Sequence, residues 1–307
     1  MDKVTYHDLR EMLALANKAT SPGRFALGID LLQLAVDPAR TMRVRTVPGV
    51  KPTPIARALC AFCPACLRVG SYPSILMEAW ITAVPKDPVD RTKVRPVSVL
   101  PELAKFVSRV LALRIRKVLI KHPDIIAAGQ RAGLANGDFN QAVDVVLDCL
   151  EDSLMDRAEG NRPQGNITLE FFDQAKAFDC VLPEVLRRTL QAAGLPKAFQ
   201  DLVCSGILQA TARVRTYYGL SHPVKLRRGL RQGDPLATLL YVFFINPLHL
   251  RLEELAQEHG YRLRGATNLA ITSGGFVDDV VVISRSLRGA AALHRVLLNL
   301  TVPRAPP

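Results

Sequence analysis

Aromatic residues are scarce: they make up 6% of the 307 residues, and Trp80 is the single tryptophan. A core must therefore be built from the aliphatic part of the 49% apolar content rather than from large rings. Cysteine is scarce too, and six in a chain of this size exclude a disulfide scaffold. Three of them, Cys60, Cys63 and Cys66, cluster in CAFCPAC. A tetrahedral metal site needs a fourth ligand, and the next Cys or His is His122, so small buried side chains are the better reading. Long apolar runs are missing. The longest, Leu236 to Ile245, is about half a membrane span. The opening MDKVTYHDLREM has no signal-peptide core. The expectation is a chain inside the cell, in nucleus or cytoplasm, with no membrane partner. No internal repeat or long low-complexity segment is present.

Acid is the other shortage. Against 28 acidic residues stand 40 basic ones, giving a formal charge of +12 and a pI near 9.7. Such an excess favours a polyanionic partner without specifying one.

Along the chain, YHDLREMLALANKA predicts an opening helix, and TMRVRTVPGVKPTPIAR (41–57) a connector. ITAVPK and VRPVSVL predict two short strands around the turn DPVDRTK. A helix is expected over 101–121, with Lys105, Arg109, Arg114, Arg116, Lys117 and Lys121 against a single Glu102. That face is either solvated or turned to phosphates. A second helix, over 138–157, carries an apolar stripe at Phe139, Ala142, Val143, Val146, Leu147, Leu150 and Leu154. NITLEFF reads as a strand ending in Asp173. Helices are expected over 183–193 and 235–244, the latter with Asp234 as N-cap and Pro235 at N1.

The strand-forming run GGFVDDVVVIS (274–284) is interrupted by Asp278 and Asp279. Two carboxylates about 4 Å apart repel by roughly 4 kcal/mol at an effective dielectric of 20. Flanking strands around two polar residues predict a β-hairpin with both acids in its turn. Asp173 ends another strand, so acids from two strands can meet at one sheet edge. Three carboxylates there suit two magnesium ions. Between these strands, KLRRGLRQGDPL places basic residues, Gly229 and Gly233 just before a helix N-terminus, a setting that favours anions.

These residues carry a resemblance. FFDQAKAFD is similar to the first palm motif of reverse transcriptases of non-LTR (LINE-like) retrotransposons, Asp-x-x-Lys-Ala-Phe-Asp. GLRQGDPL resembles their second palm motif and FVDD their third. VPKDPVDRTKVRPVSVL resembles the fingers segment, and QRAGLANGDFNQAV the Gln-x-Gly motif after it. The motifs run in order from about Trp80 to Leu297.

The resemblance implies an α/β right-hand polymerase, its palm an antiparallel sheet packed on helices. Residues 71–165 would form the fingers and 166–298 the palm. Residues 1–70 would be a helical extension and linker, and 299–307 a disordered tail. The thumb would be absent or incomplete. The implied activity is RNA-directed DNA polymerisation on an RNA template and DNA primer, from deoxynucleoside triphosphates. It would use two Mg²⁺ ions, for which Mn²⁺ can substitute. Asp173 and Asp278 would be the metal ligands, with Asp279 as third acid. Phe178 would lie under the incoming sugar, Lys86 and Arg95 would hold the triphosphate, and Gln232 and Gly233 would line the nucleotide and template pocket. Lys176 and Asp179 suit packing or a salt bridge equally well. Two departures stand out: Ala237-Thr238 replaces the family's usual Ser-Pro, and Gly133-Leu134-Ala135 replaces its Gly-Phe-Arg. Two rival readings remain, a truncated or domesticated inactive nucleic-acid binder and an RNA-dependent RNA polymerase, the latter disfavoured by the bulk of Phe178.

Overall fold

A computed structural model of the chain describes residues 3–15, 25, 27–36, 52–90, 92–132, 137–158, 167–264 and 269–301. Most of the 41–57 connector, the Gly133-Leu134-Ala135 variant and residues 302–307 lie outside the described residues. In chain order the elements begin with α1 (Tyr6–Leu15), α2 (Ile29–Val36), α3 (Pro54–Val69), β1 (Glu78–Pro85) and β2 (Val94–Val99). Next come α4 (Glu102–Lys121), α5 (Phe139–Ala158), β3 (Thr168–Phe172), α6 (Pro183–Ala192) and α7 (Lys197–Leu208). Then follow β4 (Thr211–Thr216), β5 (Gly219–Leu220), β6 (Val224–Lys225), α8 (Ala237–Glu254) and α9 (Ala256–His259). Strands β7 (Tyr261–Arg262), β8 (Ala270–Ile271), β9 (Ser273–Phe276) and β10 (Asp279–Ser284) precede α10 (Leu287–Thr301). Among the described residues no helix is long and apolar enough to cross a membrane.

The chain divides into two compact units, 1–115 with 178–237, and 116–177 with 238–307. In the first, α1 starts where Thr5 and Asp8 cap each other's backbone N–H at 3.1 Å. α3 starts where Thr53 Oγ1 accepts from the Ala56 N–H at 3.1 Å. It stops at Gly70, whose φ of +68° is cheap only for glycine. Cys63 and Cys66 sit on the buried side of α3, so CAFCPAC contributes to the core. Burial pushes the Cys63 thiol up to about 12, which keeps it protonated. The unit's sheet runs β2-β1-β4-β5, with β6 also paired to β4. Strands β4 to β6 went unforeseen in the sequence.

In the second unit the sheet order is β3-β10-β9, all antiparallel. One face packs Val281 and Ile283 against Cys149, Val145 and Val146 of α5, and α10 covers the other. An acid-bearing hairpin thus rests between two helical layers.

Three expectations need correction. The stripe predicted on α5 is not one core face: Ala142, Cys149 and Ser153 are buried, whereas Phe139, Val143, Leu147 and Leu154 are exposed. The helix is apolar over a wider arc than one sheet covers, and its small residues make the close approach. Lys105 and Arg109 of α4 face neither solvent nor phosphate. Both pair with the buried Glu102, Lys105 at 2.7 Å, because a carboxylate out of water has to be neutralised. Finally, α8 does not stop near Phe244 but passes through Pro247 to Glu254. An internal proline costs about 3 kcal/mol. Burial of Leu248 and Leu252 in the following turns offsets that cost.

Candidate active site

Val280 of β10 pairs with Phe172 of β3, and Ser284 with Thr168. Asp173 directly follows the last paired residue of β3, Phe172, and Asp279 directly precedes its partner Val280, so both acids lie at the same end of the ladder. Asp278 is half-buried, while Asp173 and Asp279 are exposed. Asp279 feels the other two. Burial first, then the charges of Asp278 and Asp173, hold the Asp279 carboxyl above its ordinary range.

The turn differs from expectation by one residue. Phe276 pairs with Asp279, so the loop is Val277–Asp278 and Asp279 opens β10. Val277 has φ +60°, the left-handed region that a β-branched residue avoids. Its surroundings impose this. Gln130, wholly buried, donates from Nε2 to the Val277 carbonyl at 3.1 Å, and its Oε1 accepts from the Val277 N–H at 3.1 Å. The same oxygen accepts from the Ala132 N–H at 3.0 Å. Gln130 is itself anchored beside β9, where the Gly275 N–H donates to the Gly129 carbonyl at 2.7 Å. The backbone at Asp278 is therefore held from the outside.

Beneath the hairpin lies His249 of α8, fully buried, with Nδ1 3.1 Å from Ser273 Oγ. Burial lowers its pKa to about 4, so the ring is neutral at pH 7. A Cβ on Gly275 would stand 2.8 Å from His249 Cε1, which explains the glycine before FVDD. On the β3 side, the Tyr241 hydroxyl donates to Gln174 Oε1 at 2.5 Å and fixes the residue after Asp173. None of Gln130, Tyr241 or His249 stood out as a site residue in the sequence. Only Gln130 left a signal, as the glutamine of QRAG.

The remaining expected site residues belong to the first unit. Lys86 and Arg95 are exposed on the β1–β2 hairpin. The Gln232 carbonyl accepts from the Ser98 N–H at 2.7 Å. Gly233, at φ +111°, approaches so closely that a Cβ would stand 2.5 Å from the Ser98 carbonyl oxygen. Gly229, at φ +90°, lies against the backbone of Asp179. The Leu230 N–H donates to the carbonyl of Phe178, a half-buried residue, at 2.8 Å. Both glycines are thus explained by backbone packing.

Carboxylate oxygens are the donors a hard divalent cation prefers. Burial is the first cause of the raised Asp279, and the second, the charges of Asp278 and Asp173, is a repulsion that such a cation would relieve. Among the described residues, no three His, Cys, Asp or Glu side chains are gathered closely enough to hold one ion as they stand. Exposed side chains change rotamer within nanoseconds, so the set fits in chemistry and position rather than in closed geometry.

The sequence profile of the family described as reverse transcriptase (RNA-dependent DNA polymerase) matches residues 84–301. The chain belongs to that family. It is 26% identical over 295 residues to the transposon TX1 uncharacterized 149 kDa protein of Xenopus laevis, covering 92% of this chain and 20% of that protein. It is 26% identical over 187 residues to the Pol polyprotein of the type-1 retrotransposable element R2 of Popillia japonica. That match covers 60% of this chain and 25% of the polyprotein. Both relatives are non-LTR retrotransposon proteins, and the chain spans a quarter of their length or less. Among solved structures, the apo telomerase of Candida tropicalis truncated from its C-terminal domain superposes with a TM-score of 0.51 at 14% identity. The match covers 73% of this chain and 47% of that one. Telomerase of Candida albicans gives 0.50 at 13% identity, covering 74% and 42%. At such identities the likeness concerns the fold, an α/β polymerase fingers-and-palm fold.

Proposed function

We propose that this chain carries the nucleotide-adding part of a reverse transcriptase, extending a DNA primer on an RNA template with deoxynucleoside triphosphates. The observation that supports the reading is the end of the β3–β10 ladder, where Asp173 and the Asp278–Asp279 turn come together and the charges of Asp278 and Asp173 bear on Asp279. In this reading Asp173 and Asp278 would hold Mg²⁺ or Mn²⁺, with Asp279 beside them. Such ions would supply activation of the primer hydroxyl and neutralisation of charge on the leaving pyrophosphate. The chain's own residues do the positioning. Gln130 keeps Asp278 in place through the Val277 backbone, and Tyr241 does the same for the segment after Asp173. Lys86 and Arg95 offer the triphosphate a point charge and a bidentate fork respectively. Phe178 fills the space beneath the sugar and excludes a 2′-hydroxyl. Gln232 and Gly233, tied to β2, line the nucleotide pocket. Fingers over 71–165 and palm over 166–298 belong to the same proposal.

Primer extension on an RNA template, with deoxy- and ribonucleotides compared, tests it. Deoxynucleotide addition that disappears in Asp278→Asn is the expected result. Phe178→Val should raise the ribonucleotide share. A preference for ribonucleotides in the unmodified chain would point to an RNA polymerase. Nucleic-acid binding with no addition of either kind would point to an inactive binder.

A further inference from the structure

From Leu202 to Gly233 the chain contains no acidic residue, but it contains Arg213, Arg215, Lys225, Arg227, Arg228 and Arg231. The fold makes part of this stretch into a hairpin. β4 and β5 are joined by Tyr217–Tyr218, both rings almost wholly in solvent at 97% and 96% exposure. The rings meet edge to face, centroids 5.4 Å apart. The turn does not need them. It is closed by Thr216 Oγ1 donating to the Gly219 carbonyl at 2.9 Å, and tight hairpin turns favour Asn, Asp and Gly. Two large rings held in water at a projecting tip imply something to stack on them.

The register supplies the rest. Arg215 lies opposite Leu220, Thr211 opposite Lys225, and Trp80 of β1 beside Arg213. Since side chains alternate along a strand, Arg213, Arg215 and Lys225 share one face of the sheet. Through Val84, the partner of Arg95, that face continues onto β2. Arg213 is paired with Glu78 at 3.3 Å. Arg215 and Lys225 are exposed, and no acid shares the hairpin with them. The core of a protein-docking surface shares the tyrosines but is depleted in charged residues, lysine included. Aromatic rings beside an unbalanced row of cations are the pattern that holds single strands, the bases on the rings and the phosphates on the cations.

We infer that the β4–β5 hairpin is a contact for single-stranded nucleic acid, with Tyr217 and Tyr218 stacking on unpaired bases and Arg215 and Lys225 on the adjoining phosphates. The inference shares only its kind of partner with the polymerase reading, and nothing in its test requires nucleotide addition.

The test is fluorescence anisotropy with the whole chain and a labelled single-stranded RNA about a dozen nucleotides long, the same sequence as DNA, and a duplex, across a salt series. Joint Tyr217→Ala and Tyr218→Ala substitution should weaken single-strand binding by roughly thirtyfold or more, with the duplex little changed. The salt slope should not move. Joint substitution by Phe should retain the affinity. Arg215→Ala and Lys225→Ala should each flatten the slope by about 0.7. An effect confined to RNA would place a template-type strand at the tip, and one confined to DNA a primer-type strand. The same losses in an Asp278→Asn background would separate this contact from catalysis. Unchanged RNA and DNA binding by a folded alanine double variant overturns the proposal. So does a loss shared by the Phe variant, and so does tyrosine-dependent binding to anionic lipid vesicles with oligonucleotide binding intact.

Discussion

The β9–β10 and β4–β5 hairpins both close through two residues, Val277–Asp278 and Tyr217–Tyr218, and their backbones are treated in opposite ways. Val277 is forced to φ +60° while Gln130 holds its N–H and its carbonyl. Gly275, beside it on β9, lies directly on the buried His249. In β4–β5 the positive φ falls on Gly219, at +115°, where a Cβ would meet nothing within 4 Å. A turn that must present a carboxylate at a set place is shaped by its neighbours against its own preference. A turn that meets a partner in solvent puts its strain on a glycine and its side chains outward.

Four measurements can break or sharpen this contrast. The largest effect should come from Asp278→Asn, the charge that the clamped turn presents. Losing several kcal/mol of transition-state stabilisation should slow primer extension by about a thousandfold or more, with thermal stability unchanged or raised. Wild-type rates in that variant would end the assignment of the site. Next is pH. His249 refuses below its unfolded pKa a proton that the unfolded chain accepts. Stability is therefore fully present above about pH 6.5 and should fall by about 3 kcal/mol as pH drops towards 4. Urea midpoints across this range should flatten in His249→Gln and be unaltered in the Tyr217→Ala, Tyr218→Ala double variant.

Removing the clamp should cost somewhat less. Gln130→Ala leaves three backbone groups without their partner and should lower stability by about 2 kcal/mol and slow extension as well. The tyrosine double variant should stay within about 0.5 kcal/mol of wild type, as exposed sites do. Equal melting shifts for the two would erase the distinction between the hairpins. Among changes to the clamped turn, the smallest effect is expected for Val277→Gly. Strain relief and the extra freedom of unfolded glycine nearly cancel, leaving a change under about 1 kcal/mol. A large loss would mean that the valine side chain, rather than Gln130, secures the turn.

The order of the motifs, the strand before Asp173 and the pairing of Asp278 with Asp279 in a hairpin were all legible from residue types. Each is a local matter: β-branched runs, turn residues and apolar period act over a few neighbours. The one-residue error at the turn was not local. Asp278–Asp279 is the better turn by composition, and Val277 enters the loop only because Gln130, 147 positions earlier, takes both its hydrogen bonds. The basic face of α4 misled in the same way, since Lys105 and Arg109 look solvated until Glu102 is seen to be buried beside them.

By itself, then, the sequence determined the polymerase motifs, the charge that suits a polyanionic partner and which three acids are the candidates for the site. Tertiary structure alone decided which residue carries the strain and that His249 is neutral. It also decided that the small residues of α5, rather than its large ones, are buried, and that two tyrosines stand in water at a hairpin tip. These depend on what lies across a sheet or beneath a helix. Burial and hydrogen-bond satisfaction are set by partners distant in sequence, and no local pattern encodes them.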